Sequence, residues 1–251
     1  MAKPWKTIDS EDTADGLLEL RQRNGTDFLI TIAGRVLMNS HANRSELLLS
    51  KLACGSMRNR KDPRVLIGGL GMGCTLKAAL DELPGNARVV VAELNPVVVK
   101  WCKGPLSALT SGAVMDPRVS IEIADVASVI RSSAIKGGAG RYDAIILDLY
   151  EGPFEAAKER GEYLYGDTAL QMSSSALMPG GVFAVWSEDP DTAFERRLVH
   201  AKFSVSLHRP GKGNRHVIYI AKKSGVSASR GPRRPEASMP ETTKKKERSA
   251  G

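Results

Sequence analysis

Val65-Leu66-Ile67-Gly68-Gly69-Leu70-Gly71-Met72-Gly73 decides the fold, because three apolar residues run straight into a turn dense in glycine. A short aliphatic run bounded by glycines reads as a buried strand, and the spacing beyond it predicts a helix over Thr75–Glu82. The same alternation continues downstream. Strands are predicted over Arg88–Glu93, Val119–Ile123, Tyr142–Leu147 and Val182–Trp186, and helices over Pro96–Lys103, Val126–Ile135, Thr168–Leu177 and Thr192–Ala201. Pro179-Gly180-Gly181 reads as the stop of the helix before it. Phe203–Leu207 and His216–Ile220, joined by the turn-forming Arg209–Asn214, predict a closing hairpin. Strands that alternate with helices imply an α/β fold with a mostly parallel, doubly wound sheet, and the closing hairpin makes one edge antiparallel.

Working upstream, Phe28–Ile32 and Arg35–Met38 flank Ala33-Gly34 and predict a short β-hairpin, followed by a helix over Arg44–Met57 with Asn43 as its cap. The chain therefore divides into a hairpin-and-helix region (1–61), a main α/β domain (62–221) and a basic tail (222–251).

The composition narrows the functional classes. With 42% hydrophobic residues in 251, the chain has material for a core, which excludes wholesale disorder. No apolar run approaches the roughly 20 residues a membrane helix needs, and Met1–Gly16 lacks the apolar centre of a secretory signal. Three cysteines (Cys54, Cys74, Cys102) make neither a disulfide framework nor a zinc pattern and fit a reducing cytoplasm. The four histidines lack metal-site spacing, so no metal is expected. The formal charge of +8 sits mostly in the last 30 residues, where nine Lys and Arg face three Glu. The rest of the chain carries only +2, so a nucleic-acid partner is not expected. The tail has no aromatic residue and is predicted to be disordered.

In a doubly wound sheet, ligands sit beyond the carboxyl ends of the strands. Four turns fall there: Gly68–Gly73, Glu93–Pro96, Ala124–Val126 and Asp148–Pro153. The dinucleotide pattern GxGxxG fails, since it needs glycine at Cys74 or at Leu76. GxGxG, through Gly69, Leu70, Gly71 and Gly73, is instead the spacing of an S-adenosylmethionine turn. Glu93 lies 22 positions past Gly71, where a carboxylate can accept from both hydroxyls of a ribose. Asp125, with Val126 beside it, is placed to accept from the amine of adenine, or to cap the following helix. The stretch Tyr150–Tyr165 is long for a connection and reads as a lid, with Tyr150, Tyr163 and Tyr165 lining an acceptor pocket or filling the core. Trp186 and Ser187 are placed to form its far wall.

On these residues the chain resembles the spermidine synthase family, the polyamine aminopropyltransferases, as a divergent member, from about Phe28 to Ala221. The likeness is strongest at Val65–Gly73, Val89–Asn95, Ile123–Val126 and Tyr142-Asp143-Ala144-Ile145-Ile146-Leu147-Asp148, the last matching a YDxIIxD strand whose final aspartate acts on the attacking amine. Glu151 stands where the family has Asp before Pro, with Gly152 inserted before Pro153. Two departures accompany it. Gly71 replaces the aspartate that in the family holds the amine of the aminopropyl group, and Arg44-Ser45 replace a tyrosine–glutamine pair before Glu46.

The resemblance implies a Rossmann-like S-adenosylmethionine-dependent transferase fold, a decarboxylated S-adenosylmethionine or S-adenosylmethionine co-substrate, an amine acceptor, cytoplasmic location and a homodimer. Asp148 is then the catalytic residue, with Glu151, Tyr150 and Tyr165 at the substrate. Two alternatives stay open on the same chassis, a methyltransferase and a non-catalytic nucleoside-binding protein.

Overall fold

The computed structural model describes residues 3–150, 152–153, 163–211 and 215–225. The chain begins with a four-stranded antiparallel sheet, β1 (Lys6–Thr13), β2 (Gly16–Arg23), β3 (Asp27–Ile32) and β4 (Arg35–Asn39), in that order. The expected hairpin is β3–β4, and the structure adds two strands before it. In β2, Leu18 and Leu20 are buried and alternate with Glu19 and Arg21, the period-2 pattern of a half-buried strand. β1 is almost wholly exposed and reads as polar sequence. It is held by its pairing to β2 and by Asp9, whose carboxylate accepts from Lys100 Nζ (2.8 Å) and Trp101 Nε1 (2.9 Å). These two bonds hold the Asp9 carboxyl below its usual range.

α1 (Arg44–Cys54) leads into the larger sheet. Asn43 precedes it as expected, but its side chain makes no capping bond. The sheet contains β5 (Arg64–Gly68), β6 (Arg88–Glu93), β7 (Val119–Ile123), β8 (Tyr142–Leu147), β9 (Leu177–Ser187), β10 (Phe203–His208) and β11 (Val217–Lys223). Their order is β10-β11-β9-β8-β5-β6-β7, parallel from β9 to β7 and antiparallel at the β10–β11 edge. The helices between them are α2 (Cys74–Glu82), α3 (Pro96–Lys103), α4 (Val126–Lys136), α5 (Asp167–Ala176) and α6 (Thr192–His200).

The central strands β5 and β8 are covered on both faces, which is why they read as largely apolar runs, whereas the edge strands β7 and β10 carry exposed polar residues. Val65 and Ile67 point into a layer with Leu49, Leu76 and Trp101, and the leucines of β2 join that same layer. Leu66 points the other way, among Ile130, Leu170 and Phe194. One boundary differs from expectation: β9 starts at Leu177, before Pro179-Gly180-Gly181 rather than after it. Tyr142 pairs with Leu177 and Ala144 with Val182, so the intervening residues bulge out and the strand resumes. No helix among the described residues is long and apolar enough to cross a membrane. The basic tail from 226 onward lies outside the described residues.

Because Leu20 is fully buried in the layer shared with β5, Leu20→Ala is expected to lower stability by about 2–5 kcal/mol in urea unfolding of the full chain. An unchanged unfolding midpoint would show that the N-terminal sheet does not share the core.

Candidate active site

From β5 the chain steps to β6 and β7 on one side and then returns to β8 on the other, so the sheet reverses direction between β5 and β8. At that point Asp148 N–H donates to the Gly68 carbonyl (3.1 Å) and Gly69 N–H donates to the Ala92 carbonyl (2.9 Å). The turn after β5 is thereby stitched to both neighbouring strands. Gly69 has φ +85°, and a Cβ there would lie 2.7 Å from the Asp148 carbonyl oxygen, so no side chain fits. Gly71 has φ +52°, and its missing side chain leaves room for Met38, whose Cε and Sδ come within 2.7 and 2.9 Å of the Cβ position. Apolar Met38 from β4 thus occupies the place next to the turn. Cys102 Sγ donates to the Gly71 carbonyl from behind (3.2 Å).

Glu93, at the end of β6, is buried. One carboxylate oxygen accepts from Leu70 N–H (2.8 Å) and the other from Asn95 N–H (2.9 Å), which ties the glycine turn to the start of α3. The Leu70 side chain goes into the core, so its contribution to the turn is that N–H. Each Glu93 oxygen keeps a further lone pair, so the clamp is compatible with accepting from a diol. Asp125, at the end of β7, acts as the helix cap: it accepts from Ala127 N–H (3.1 Å) and Ser128 Oγ (3.3 Å). It also accepts from Tyr163 Oη (2.6 Å). Val126 is buried and packs beside Gly68, a core position rather than a lining one. Tyr163 and Arg131 border a cavity of about 190 Å³ between α4 and α5, next to Asp125.

Asp148 ends β8. Its carboxylate accepts from the Thr75 hydroxyl in the first turn of α2. Burial, and then the negative charge of Glu46 on α1, push its pKa up to about 7, against the opposing effect of Thr75. Cys74, beside Thr75, is raised to about 11, by burial first and then by the charges of Glu46 and Asp148, with an Asn43 hydrogen bond opposing. Tyr165 is buried, packs edge-on to Phe194 (5.6 Å between ring centres), and its hydroxyl has no partner among the described residues. Burial, and next the charge of Asp148, raise its pKa. Tyr150 is half-exposed. Glu151 and residues 154–162 of the expected lid lie outside the described residues. Gly152 packs against the backbone of Trp186 and Ser187, the expected far wall.

Asp148, Gly68, Glu93 and Asp125 therefore stand at the ends of four adjacent strands, β8, β5, β6 and β7, a row on the order of 14 Å long at sheet spacing. Thr75, Glu46 and Met38 belong to the same neighbourhood and were not singled out from sequence as site residues. Thr75 was open to inference, as a hydroxyl in the first helical turn after the glycines. Met38 was not, because its approach depends on how the two sheets pack. Among the described residues no three His, Cys, Asp or Glu side chains gather as a metal site would.

A carboxyl whose folded pKa lies above its unfolded value binds its proton more tightly in the native state, so stability falls as pH rises from about 4 to about 7. Asp148→Asn is expected to remove that loss and to raise the melting temperature relative to the unsubstituted chain at pH 8 more than at pH 4. Equal effects at both pH values would mean that Asp148 titrates normally.

No protein-family model matches the chain. Among curated proteins it is 32% identical over 135 residues to the polyamine aminopropyltransferase of Mycobacterium tuberculosis, a match covering 53% of this chain and 24% of that protein. It is 29% identical over 154 residues to that of Sodalis glossinidius, covering 58% and 49%. It is 34% identical over 141 residues to that of Prochlorococcus marinus, covering 55% and 43%. The chain thus spans between a quarter and a half of the length of these relatives. Among solved structures it is similar to a spermidine synthase in complex with the transition-state analogue AdoDATO, with TM-score 0.67, 20% identity, and coverage of 87% of this chain and 73% of that one. It is also similar to human methyltransferase-like protein 13 in complex with SAH, with TM-score 0.55, 20% identity, and coverage of 75% and 83%. Over about half of its length the sequence is similar to polyamine aminopropyltransferases, and the fold is that of the spermidine synthases.

Proposed function

We propose that the chain transfers an aminopropyl group from decarboxylated S-adenosylmethionine to an amine. The observation that carries the reading is Asp148, a carboxylate fixed at the strand-order reversal, beside the glycine turn, with its pKa pushed up to about 7. The related polyamine aminopropyltransferases support the reaction type, and the spermidine synthase that holds AdoDATO supports the donor.

In this reading the nucleoside lies along the row of strand ends. Glu93 accepts from the ribose hydroxyls, Asp125 from the adenine amine, and the turn Gly69–Gly73 lets the ligand approach the backbone. The donor supplies an electrophilic carbon on a sulfonium. The acceptor nitrogen forms a bond to that carbon, the carbon–sulfur bond breaks, and its electron pair goes to sulfur, which leaves as a neutral thioether. The nitrogen must shed a proton. A primary amine has a pKa near 10 in water and arrives charged. An ordinary carboxylate near 4 is a poor base for it, and the raised Asp148 closes about half of that gap. Thr75 fixes the carboxylate's orientation. Charge disperses in this displacement, so alignment contributes more than strong electrostatic clamps. Free thiols at Cys54, Cys74 and Cys102 suit work in the cytoplasm.

The test incubates the full chain with decarboxylated S-adenosylmethionine or S-adenosylmethionine and a panel of primary amines, and reads the nucleoside product by mass spectrometry. Methylthioadenosine is expected. S-adenosylhomocysteine would instead assign methyl transfer, the reading that the side-chain-free turn at Gly71 favours. Asp148→Asn is expected to lower kcat by about a hundredfold or more while donor affinity is kept. Full turnover by that variant would remove Asp148 from the reaction.

A further inference from the structure

A second cavity, of about 380 Å³, lies on the flank of α2, between that helix and residues 110–118. Its size falls in the range of about 300–1,000 Å³ usual for small-molecule sites. Lys77, Leu80 and Asp81 face it from α2, at the spacing that puts three side chains on one side of a helix. Thr110 lines it as well. Thr110 is 4% exposed, and its hydroxyl has no hydrogen-bond partner among the described residues. The side chain packs against Gly73, just before α2, with Cγ2 3.3 Å and Oγ1 3.6 Å from the Cβ position there. A buried hydroxyl is costly to leave unpaired, so this one calls for a partner in the cavity.

The charges around the cavity come as two opposite pairs, and the pairs are not alike. Arg118 Nε and Nη2 donate to the two oxygens of Asp116 (2.9 and 2.8 Å), while Nη1 donates to the carbonyls of Leu80 (3.0 Å) and Leu83 (3.2 Å) at the end of α2. That pair is committed to holding the fold. Lys77 and Asp81 are bonded only to each other among the described residues, with Nζ 2.6 Å from both carboxylate oxygens. Their side chains are 36% and 60% exposed. An ion pair so open to water contributes little, and a ligand can replace either half of it. Buried Leu80 and exposed Met115 add apolar wall beside it.

A lone anion at Lys77 takes the counter-charge from Asp81, and a lone cation at Asp81 takes it from Lys77. A ligand with both charges on neighbouring atoms satisfies the two at once. We propose that this cavity is a binding site for a free α-amino acid with an apolar side chain. The ligand carboxylate accepts from Lys77 Nζ and from the Thr110 hydroxyl, a charge-assisted bond that gives that hydroxyl its partner. The ligand ammonium donates to Asp81, and the side chain lies along Leu80 and Met115. None of these residues belongs to the row of strand ends, so the site does not rest on the transfer reading.

The test measures binding of L-norleucine to the full chain by calorimetry, with neither donor nor amine acceptor present. Hexanoate, which lacks the ammonium, and pentylamine, which lacks the carboxylate, serve as controls. L-norleucine is expected to bind, and each control to bind about tenfold or more weakly than it. Lys77→Met and Asp81→Asn are each expected to weaken norleucine binding about tenfold or more, with the urea unfolding midpoint little changed because the pair is exposed. Thr110→Val, which keeps the shape of the side chain, is expected to weaken binding severalfold. Norleucine binding that ignores Lys77→Met and Asp81→Asn overturns the site, as does either control binding as tightly as norleucine. An unsubstituted chain that binds no norleucine also overturns it and leaves the transfer reading standing. Norleucine binding that depends on Lys77 and Asp81, in a chain that makes no methylthioadenosine, keeps the site and overturns the transfer reading alone.

Discussion

The hydrogen bond from Asp148 N–H to the Gly68 carbonyl joins the two strands between which the sheet reverses direction, and the rest of the site is arranged around it. It fixes the end of β8 against the glycine turn so closely that Gly69 has no room for a Cβ. It also sets the Asp148 carboxylate under the first turn of α2, where Thr75 meets it. Every other element serves that junction. β6 supplies Glu93, which holds the turn open by its backbone N–H groups, and α1 brings Glu46 within electrostatic reach. The N-terminal sheet closes the turn with Met38 and is itself anchored to α3 through Asp9.

The electrostatics follow from placement rather than total charge. The chain is basic overall, yet its positive excess falls largely after residue 222 and the strand ends carry carboxylates. Those carboxylates are not equivalent. Glu93 and Asp125 are satisfied by backbone N–H donors, which makes them structural as well as available to a ligand. Asp148 has one hydroxyl donor, a buried setting and a like charge nearby, and burial together with that charge pushes its pKa up to about 7. A base held near neutrality suits the transfer proposed above, in which a charged amine must lose a proton.

Much of this was legible in the sequence because parallel strands buried on both faces leave apolar runs, and the three strands from Arg88 to Leu147 and the helices between them lie within a residue or two of expectation. Gly69, Glu93 and Asp148 were legible for a related reason, since a doubly wound sheet forces its ligands to the carboxyl ends of its strands. What escaped obeys other rules. β1 hides in Lys-Thr-Ile-Asp-Ser-Glu-Asp-Thr because an exposed edge strand has no apolar periodicity. β2 did show a Leu18–Leu20 alternation, a signal weak in isolation and decisive only with a partner layer. Pro179-Gly180-Gly181 looked like a stop and is a bulge within β9, a distinction made by strand register. The coupling of Glu46 to Asp148 spans about a hundred residues of sequence and exists only through the packing of α1 on α2.

The central claim is that Asp148 is a carboxyl kept near neutrality by burial and by Glu46. Its most direct test is a pH titration of the full chain labelled with ¹³C at aspartate side-chain carboxyls, with Asp148→Asn to assign the resonance. The account predicts a midpoint near 7 for Asp148 that moves lower in Glu46→Gln. A midpoint near 4, or one that ignores Glu46, would contradict it.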